Sequence, residues 1–329
     1  IISAGFSESG KKGLEDEIMR QKGDVRILGP NCFGVVNPYI GLDTTFARTT
    51  PKKGDIAFIS QSGAIWSGVA ELSKKENFGF SGFVSLGNMM DIGFEDTIQY
   101  FDNDENTRII VLYLETLKDG RKIMQIAKRC KKKIIAVKAG MSEAGMKATL
   151  SHTGSMAGSY EIYKAAFKQS GIIMAESLTE AFDKAKYGLT EEKKTVVITN
   201  AGGPGALMAD YCEKNGLELV KIPNIKFDLP EAWSKSNPMD LVGDAKSDRF
   251  KEVFSKIKKE KFYDLAVIVV TPQKMTDLKN IAHEIVRFKK ESKKKVVVCW
   301  MTDEGREIFE NNKIPYFFEP KRLAEYLRL

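Results

Sequence analysis

Asp55-Ile56-Ala57-Phe58-Ile59-Ser60-Gln61-Ser62-Gly63-Ala64 is a short apolar run closed by a small, polar, glycine-containing turn, and a helical pattern through Val69 and Leu72 follows it. The same unit returns from Thr195 as Val196-Val197-Ile198-Thr199, then Asn200-Ala201-Gly202-Gly203-Pro204-Gly205, then Leu207, Met208 and Tyr211. Two copies of a strand, a glycine-rich turn and a helix predict an internal repeat.

The parallel extends along both halves. Ile109-Ile110-Val111-Leu112-Tyr113, a lysine-rich helix and Ile134-Ile135-Ala136-Val137 match Leu265-Ala266-Val267-Ile268-Val269-Val270, another basic helix and Val296-Val297-Val298-Cys299. Glu161-Ile162-Tyr163 and Gly171-Ile172-Ile173 likewise match Glu307-Ile308-Phe309 and Ile314-Pro315-Tyr316. Continuous apolar runs separated by amphipathic helices mark a parallel sheet covered on both faces. The fold class is therefore α/β, with two tandem flavodoxin-like, doubly wound parallel-sheet domains over 51–190 and 191–329. The charged stretch Leu189-Thr190-Glu191-Glu192-Lys193-Lys194 reads as the link between them, and residues 1–50 precede the first.

The repeats differ in one place. Lys138 and Ile162 are 24 positions apart, whereas their counterparts Trp300 and Ile308 are 8 apart, so the first repeat carries 16 extra residues. His152, one of two histidines, lies among them in Ser151-His152-Thr153-Gly154-Ser155-Met156-Ala157-Gly158, a hydroxyl- and glycine-rich stretch that reads as a loop. Imidazole ionises near neutral pH and attacks phosphorus or carbonyl carbon, and long insertions at the carboxyl end of sheet strands are where such folds place their chemistry. A surface loop with an idle histidine is the competing reading.

Both glycine-rich turns bring backbone N–H groups and the positive end of a helix to one point, which suits an anion. Such an end is worth about 0.3–1 kcal/mol to an exposed charge and up to about 2 kcal/mol in a partly buried site. Ser60, Gln61, Ser62 and Gly63 in the first turn, and Asn200, Gly202, Gly203 and Gly205 in the second, are the candidate phosphate ligands. Two facing helix ends would hold a phosphate without a metal, and no metal site is expected; tight strand-to-helix turns alone would use the same glycines. Neither turn has the Lys-Ser or Lys-Thr of a Walker A loop or the spacing of a dinucleotide fingerprint. Glu115 ends the run Val111-Leu112-Tyr113-Leu114, which puts a carboxylate at a central strand tip. There it can accept from one imidazole nitrogen and leave the other as the nucleophile.

Six ordered motifs now carry a family resemblance: Gly29-Pro30-Asn31-Cys32-Phe33-Gly34, Ile59-Ser60-Gln61-Ser62-Gly63, Ser85-Leu86-Gly87-Asn88, Leu114-Glu115, Lys138-Ala139-Gly140 and Ser151-His152-Thr153-Gly154. Together they resemble the α subunit of succinyl-CoA synthetase and, more closely, that of ADP-forming acetyl-CoA synthetase. Thr199 to Gly205 and Asn237-Pro238-Met239-Asp240 resemble the further ligase domain that the ADP-forming acyl-CoA synthetases fuse onto α. The resemblance implies reversible conversion of acyl-CoA, ADP and phosphate into acid, CoA and ATP. It makes His152 the phosphorylated histidine, Glu115 its supporting carboxylate and the turns at Ser60 and Asn200 the phosphate-binding helix ends. It places Asn31 and Cys32 beside the thioester end of coenzyme A, with Cys32 a neighbour and not a nucleophile. Residues 1–50 resemble the C-terminal remnant of a Rossmann-like CoA-binding domain, and the start at Ile1 reads as a fragment or as a chain whose front is not included. ADP or ATP with Mg is expected on an ATP-grasp β subunit, within a hetero-oligomer. Ligation of succinate or another acid, and a CoA-responsive regulatory module without turnover, are the alternatives.

Composition narrows the remaining classes. The net charge of +7 comes from dispersed lysines such as Lys131-Lys132-Lys133 and Lys293-Lys294-Lys295 at strand starts, with no aromatic-interleaved basic face, so no nucleic-acid partner is expected. No apolar run exceeds strand length, so no membrane span is expected. Cys32, Cys130, Cys212 and Cys299 lack disulfide or metal spacing, which fits a cytoplasmic protein. His283, inside Ile281-Ala282-His283-Glu284-Ile285, reads as a surface residue of a helix.

Overall fold

The computed structural model describes residues 1–6, 10, 12–153 and 160–328, with residues 12 and 150–153 described by their backbone alone. The chain divides into two units, Ile1–Lys186 and Tyr187–Leu329.

The first unit contains α1 (Lys12–Gln21), β1 (Val35–Asn37), β2 (Leu42–Asp43), β3 (Lys53–Ser60), α2 (Ala64–Lys75), β4 (Phe80–Ser85), α3 (Phe94–Asn103), β5 (Ile109–Leu114), α4 (Gly120–Arg129), β6 (Lys133–Lys138), α5 (Glu143–Thr153), α6 (Tyr160–Ser170), β7 (Ile172–Ala175) and α7 (Leu178–Tyr187). Its sheet runs β2-β1-β4-β3-β5-β6-β7. The five strands from β4 to β7 are mutually parallel. Both faces of this sheet are covered, which is why its strands are apolar without alternation. On one face Trp66 of α2 stacks on Phe83 at 4.1 Å and meets Phe80 edge-on at 5.0 Å. On the other, Ile98 and Phe101 of α3, Ile123 of α4 and Phe167 of α6 pack against Ile59, Leu112 and Ala136. Each such large side chain contributes about 1.5–3 kcal/mol when fully buried.

Residues 1–50 share this unit, because β1 pairs antiparallel with β4 and β2 with β1. The division between units falls before Tyr187, ahead of the charged stretch singled out in the sequence. Tyr187 packs edge-on against Phe317 and Tyr326 at 5.6 and 6.0 Å, and Thr190 Oγ1 donates to Tyr326 Oη at 3.4 Å.

The second unit contains β8 (Lys194–Thr199), α8 (Gly202–Lys214), β9 (Glu218–Leu219), β10 (Met239–Asp240), α9 (Ser247–Ile257), β11 (Leu265–Val270), α10 (Leu278–Ser292), β12 (Lys295–Trp300), α11 (Arg306–Asn311), β13 (Tyr316–Phe317) and α12 (Pro320–Leu327). The order β10-β8-β11-β12-β13 repeats the first winding, all parallel. The second strand of this winding is split, with β9 on the start of β8 and β10 on its end. Asn237 closes the gap like a peptide group: its Nδ2 donates to Thr195 O and Val220 O at 2.8 and 2.9 Å, and its Oδ1 accepts from Val197 N at 2.9 Å. Among the described residues no helix is long and apolar enough to cross a membrane.

Candidate functional site

The turn after β3 is built by its own side chains. Ser60, fully buried, donates from Oγ to Ser62 O at 2.6 Å, which folds the chain sharply into α2. Gln61 reaches across to the tip of β5: its Oε1 accepts from the N–H groups of Glu115 and Thr116 at 2.6 and 3.0 Å, its Nε2 donates to Thr116 Oγ1 at 3.3 Å, and its own N–H donates to Tyr113 O at 3.1 Å. The side chain of Gln61 is thus a brace between neighbouring strand tips. Gly63 has a packing reason to lack a side chain, since a Cβ there would lie 2.5 Å from the Cβ of Phe33. At the start of α2, Trp66 N donates to Gly63 O at 3.1 Å, while the N–H groups of Ala64 and Ile65 have no acceptor within the helix.

The brace fixes Glu115 at the carboxyl edge, where its side chain is only 8% exposed. A buried carboxylate is costly unless charges or donors surround it. Its negative charge is felt by Tyr113, whose phenol is pushed up to about 12 chiefly by burial and then by Glu115. It is felt also by Lys138, the last residue of β6, whose side chain is buried. Burial lowers the Lys138 ammonium from its ordinary value and the charge of Glu115 opposes that shift. Lys138 Nζ donates to Ala139 O and sits 4.8 Å above the ring of Tyr163. Tyr163 Oη in turn accepts from Leu117 N at 3.2 Å. Lys138 has no assigned role in the sequence reading, although a lysine ending an apolar run where the other repeat has tryptophan is a visible signal.

His152 belongs to the last turn of α5, so the inserted segment opens as a helix and not as a loop. Glu143 and Lys147 pair at 2.8 Å one turn apart, which favours the helix, and within it Thr149 Oγ1 donates back to Gly145 O at 2.9 Å. The side chain of His152 and the residues from Gly154 to Ser159 lie outside the described residues. His283 is exposed on α10, as its helical context predicts.

The second unit reproduces the turn with other residues. Thr199 Oγ1 accepts from Ala201 N at 3.0 Å, and buried Asn200 spans to the tip of β11, accepting on Oδ1 from Thr271 N at 2.9 Å and donating from Nδ2 to Thr271 O at 2.9 Å and to Gln273 Oε1 at 2.7 Å. Asn200 is therefore the brace of this repeat, the counterpart of Gln61. Gly202 and Gly203 start α8 with N–H groups that lack helical acceptors. A Cβ on Gly203 would meet nothing within 4 Å, one on Gly202 would lie 3.0 Å from Asp240 Oδ2, and one on Gly205 2.8 Å from Thr199 Cγ2. Gly203 borders open space and Gly205 serves packing.

In the segment before β1, Asn31 takes a left-handed backbone at φ 55° and donates from Nδ2 to Asn88 Oδ1 at 3.3 Å. Cys32 is buried, with Sγ 3.4 Å from Ile1 O. The four cysteines are free thiols.

The first unit is thus a doubly wound α/β domain of the flavodoxin type, with Glu115 held by Gln61 where the winding reverses between β3 and β5. Residues 53–187 match the family model described as the succinyl-CoA ligase like flavodoxin domain. Acetate–CoA ligase [ADP-forming] I of Archaeoglobus fulgidus is 40% identical over 98% of this chain and 49% of its own length. Acetate–CoA ligase [ADP-forming] II subunit alpha of Pyrococcus furiosus is 38% identical over 98% of this chain and 76% of its own length. The structure of Ca. Korarchaeum cryptofilum dinucleotide forming acetyl-coenzyme A synthetase 1 in complex with phosphate and ADP superposes with a TM-score of 0.88 at 35% identity, covering 100% of this chain and 75% of that one. The chain belongs to the ADP-forming acetate–CoA ligase family. It spans about half of the Archaeoglobus protein and about three quarters of the Pyrococcus subunit.

Proposed function

We propose that this chain is the α-type part of an ADP-forming acyl-CoA synthetase that works through phosphohistidine at His152. Phosphate displaces CoA from the acyl thioester to give an acyl phosphate, His152 takes the phosphoryl group and releases the acid, and ADP takes it from His152 to give ATP. Glu115 accepts from the imidazole nitrogen that is not phosphorylated, fixing its tautomer and balancing its positive charge. The N–H groups that open α2 and α8 bind phosphate in their respective units, with Ser60, Gln61, Ser62, Gly63, Asn200 and Gly205 shaping the turns and Gly202 and Gly203 meeting the anion. Asn31 and Cys32 lie at the thioester end of CoA, and residues 1–50 are the end of its binding domain. ADP or ATP, with Mg, sits on an ATP-grasp partner in a hetero-oligomer, and the free thiols fit a cytoplasmic enzyme.

The observation that carries this reading is the buried Glu115 presented by Gln61 beside the start of α2. With ATP labelled at the γ-phosphate and the full enzyme including its nucleotide-binding part, label should enter one acid-labile, base-stable adduct. His152→Ala should abolish it and His283→Ala should leave it, while this chain alone should incorporate none. Label retained in His152→Ala refutes the phosphohistidine.

A further inference from the structure

The two repeats supply an internal comparison at their third and fourth strand tips. In the first, Leu114 pairs with Lys138, and Glu115 follows Leu114. In the second, Val270 pairs with Trp300, and Thr271 follows Val270. The residue packed against each is also matched: Tyr163 lies under Lys138 at 4.8 Å, and Phe309 meets Trp300 edge-on at 5.0 Å. Trp300 is 1% exposed and donates from Nε1 to Glu304 O at 2.7 Å, so this fold closes the position with an uncharged pair. The ammonium of Lys138 is therefore not a requirement of the scaffold. It occurs in the repeat that has a carboxylate at the neighbouring strand tip and the inserted helix bearing His152.

We propose that Lys138 is a positioning residue for Glu115: a buried countercharge, seated on Ala139 O and the face of Tyr163, that keeps the Glu115 carboxylate ionised and aimed at its partner. This rests on the role given to Glu115 above. A lysine charge 2% exposed is costly to bury and persists where a carbonyl, an aromatic face and an opposite charge surround it. Among the described residues, the titratable groups facing this pair are Tyr113 on β5 and Tyr163 on α6, both held neutral well above physiological pH by burial. Lys118, beyond the tip of β5, donates from Nζ to Met89 O. An opposite charge nearby typically lowers a carboxylate by about 1–3 pH units, so removing it moves Glu115 toward the neutral acid, which cannot stabilise an imidazolium.

The test uses the full enzyme and the rate of label transfer from ATP to His152 as a function of pH. Lys138→Met should move the acid limb of that profile up by about 1 pH unit or more, and Lys138→Arg should restore most of the wild-type limb. Glu115→Gln should erase the limb, and adding Lys138→Met to it should cost nothing further. Should Lys138→Met fail to fold, Lys138→Trp with Tyr163→Phe, the pair used in the other repeat, replaces it. A wild-type profile in the folded Lys138 variant, or a loss that adds to that of Glu115→Gln, overturns the inference. Failure of the wild-type enzyme to label His152 at all overturns the parent reading instead.

Discussion

At the residue scale, the glycines of the two turns do different work, and the space around each decides which. A Cβ at Gly63 meets the root of Phe33, an atom that moves only with its backbone. Gly63→Ala should therefore cost about 1–3 kcal/mol in denaturant unfolding, and Phe33→Ala in the same chain should not relieve the closest contact, because alanine keeps the Cβ that is met. Gly203 borders open space in the first turn of a helix. Gly203→Ala should leave unfolding within about 0.5 kcal/mol of wild type, yet raise KM for phosphate because a methyl group enters the approach to the helix end. A large stability loss at Gly203, or none at Gly63, contradicts this division. Gln61 and Asn200 follow the same logic: both are polar residues in a glycine-rich turn, and both use their side chains to hold an adjacent strand tip.

At the scale of elements, apolar runs such as Ile109 to Leu114 and Leu265 to Val270 announce themselves because strands covered on both faces are filled mainly by apolar residues. The winding of both units was legible from those runs and their spacing. The hairpin of Val35–Asn37 and Leu42–Asp43 was not, since strands of three and two residues show no periodicity. The break in the second unit's edge was equally silent: it depends on Asn237 supplying hydrogen bonds that a continuous strand would make. Of the candidate site, Glu115 could be placed from its position after a strand, whereas Lys138 acquires meaning only once the pairing Leu114 with Lys138 and Val270 with Trp300 is known. Asn237→Ala strips partners from Val197 N, Thr195 O and Val220 O at once. Thr195 O still accepts from Val220 N at 3.1 Å, so two groups are left unsatisfied; at about 1–3 kcal/mol each, the expected loss is at least about 2 kcal/mol, with hydrogen exchange rising first at the Val197 amide. Asn237→Asp should recover little, because it lacks both N–H donors.

At the scale of the whole molecule, the segment before β1 is tied to the first sheet by charge. Asp91 accepts from Ile27 N at 2.8 Å and pairs with Arg26 at 3.1 Å and Lys22 at 3.5 Å. Burial raises the Asp91 carboxyl, but the Ile27 amide, Arg26 and Lys22 together outweigh it and hold it below its ordinary 3.8. A carboxyl lowered in the folded state stabilises above its unfolded value and loses that contribution as pH falls through the folded one. Asp91→Asn should thus be less stable than wild type at pH 7 by about 1 kcal/mol, discounted for the half-exposed Arg26, and the gap should close progressively below pH 3.8. A gap that persists unchanged at pH 2 contradicts the assignment. The hairpin of β1 and β2 that follows this segment bears on how the protein survives at high concentration. Outer strands recruit other chains when they are long and unpaired, and here β2, β7, β9, β10 and β13 run to only two to four residues. The hairpin caps the Phe80–Ser85 strand in one unit, while interruption shortens the corresponding border in the other. Both repeats have met one hazard, self-templated aggregation, by different means, and a truncation that removed the hairpin would leave Phe-Ser-Gly-Phe-Val-Ser as a ready seed for it.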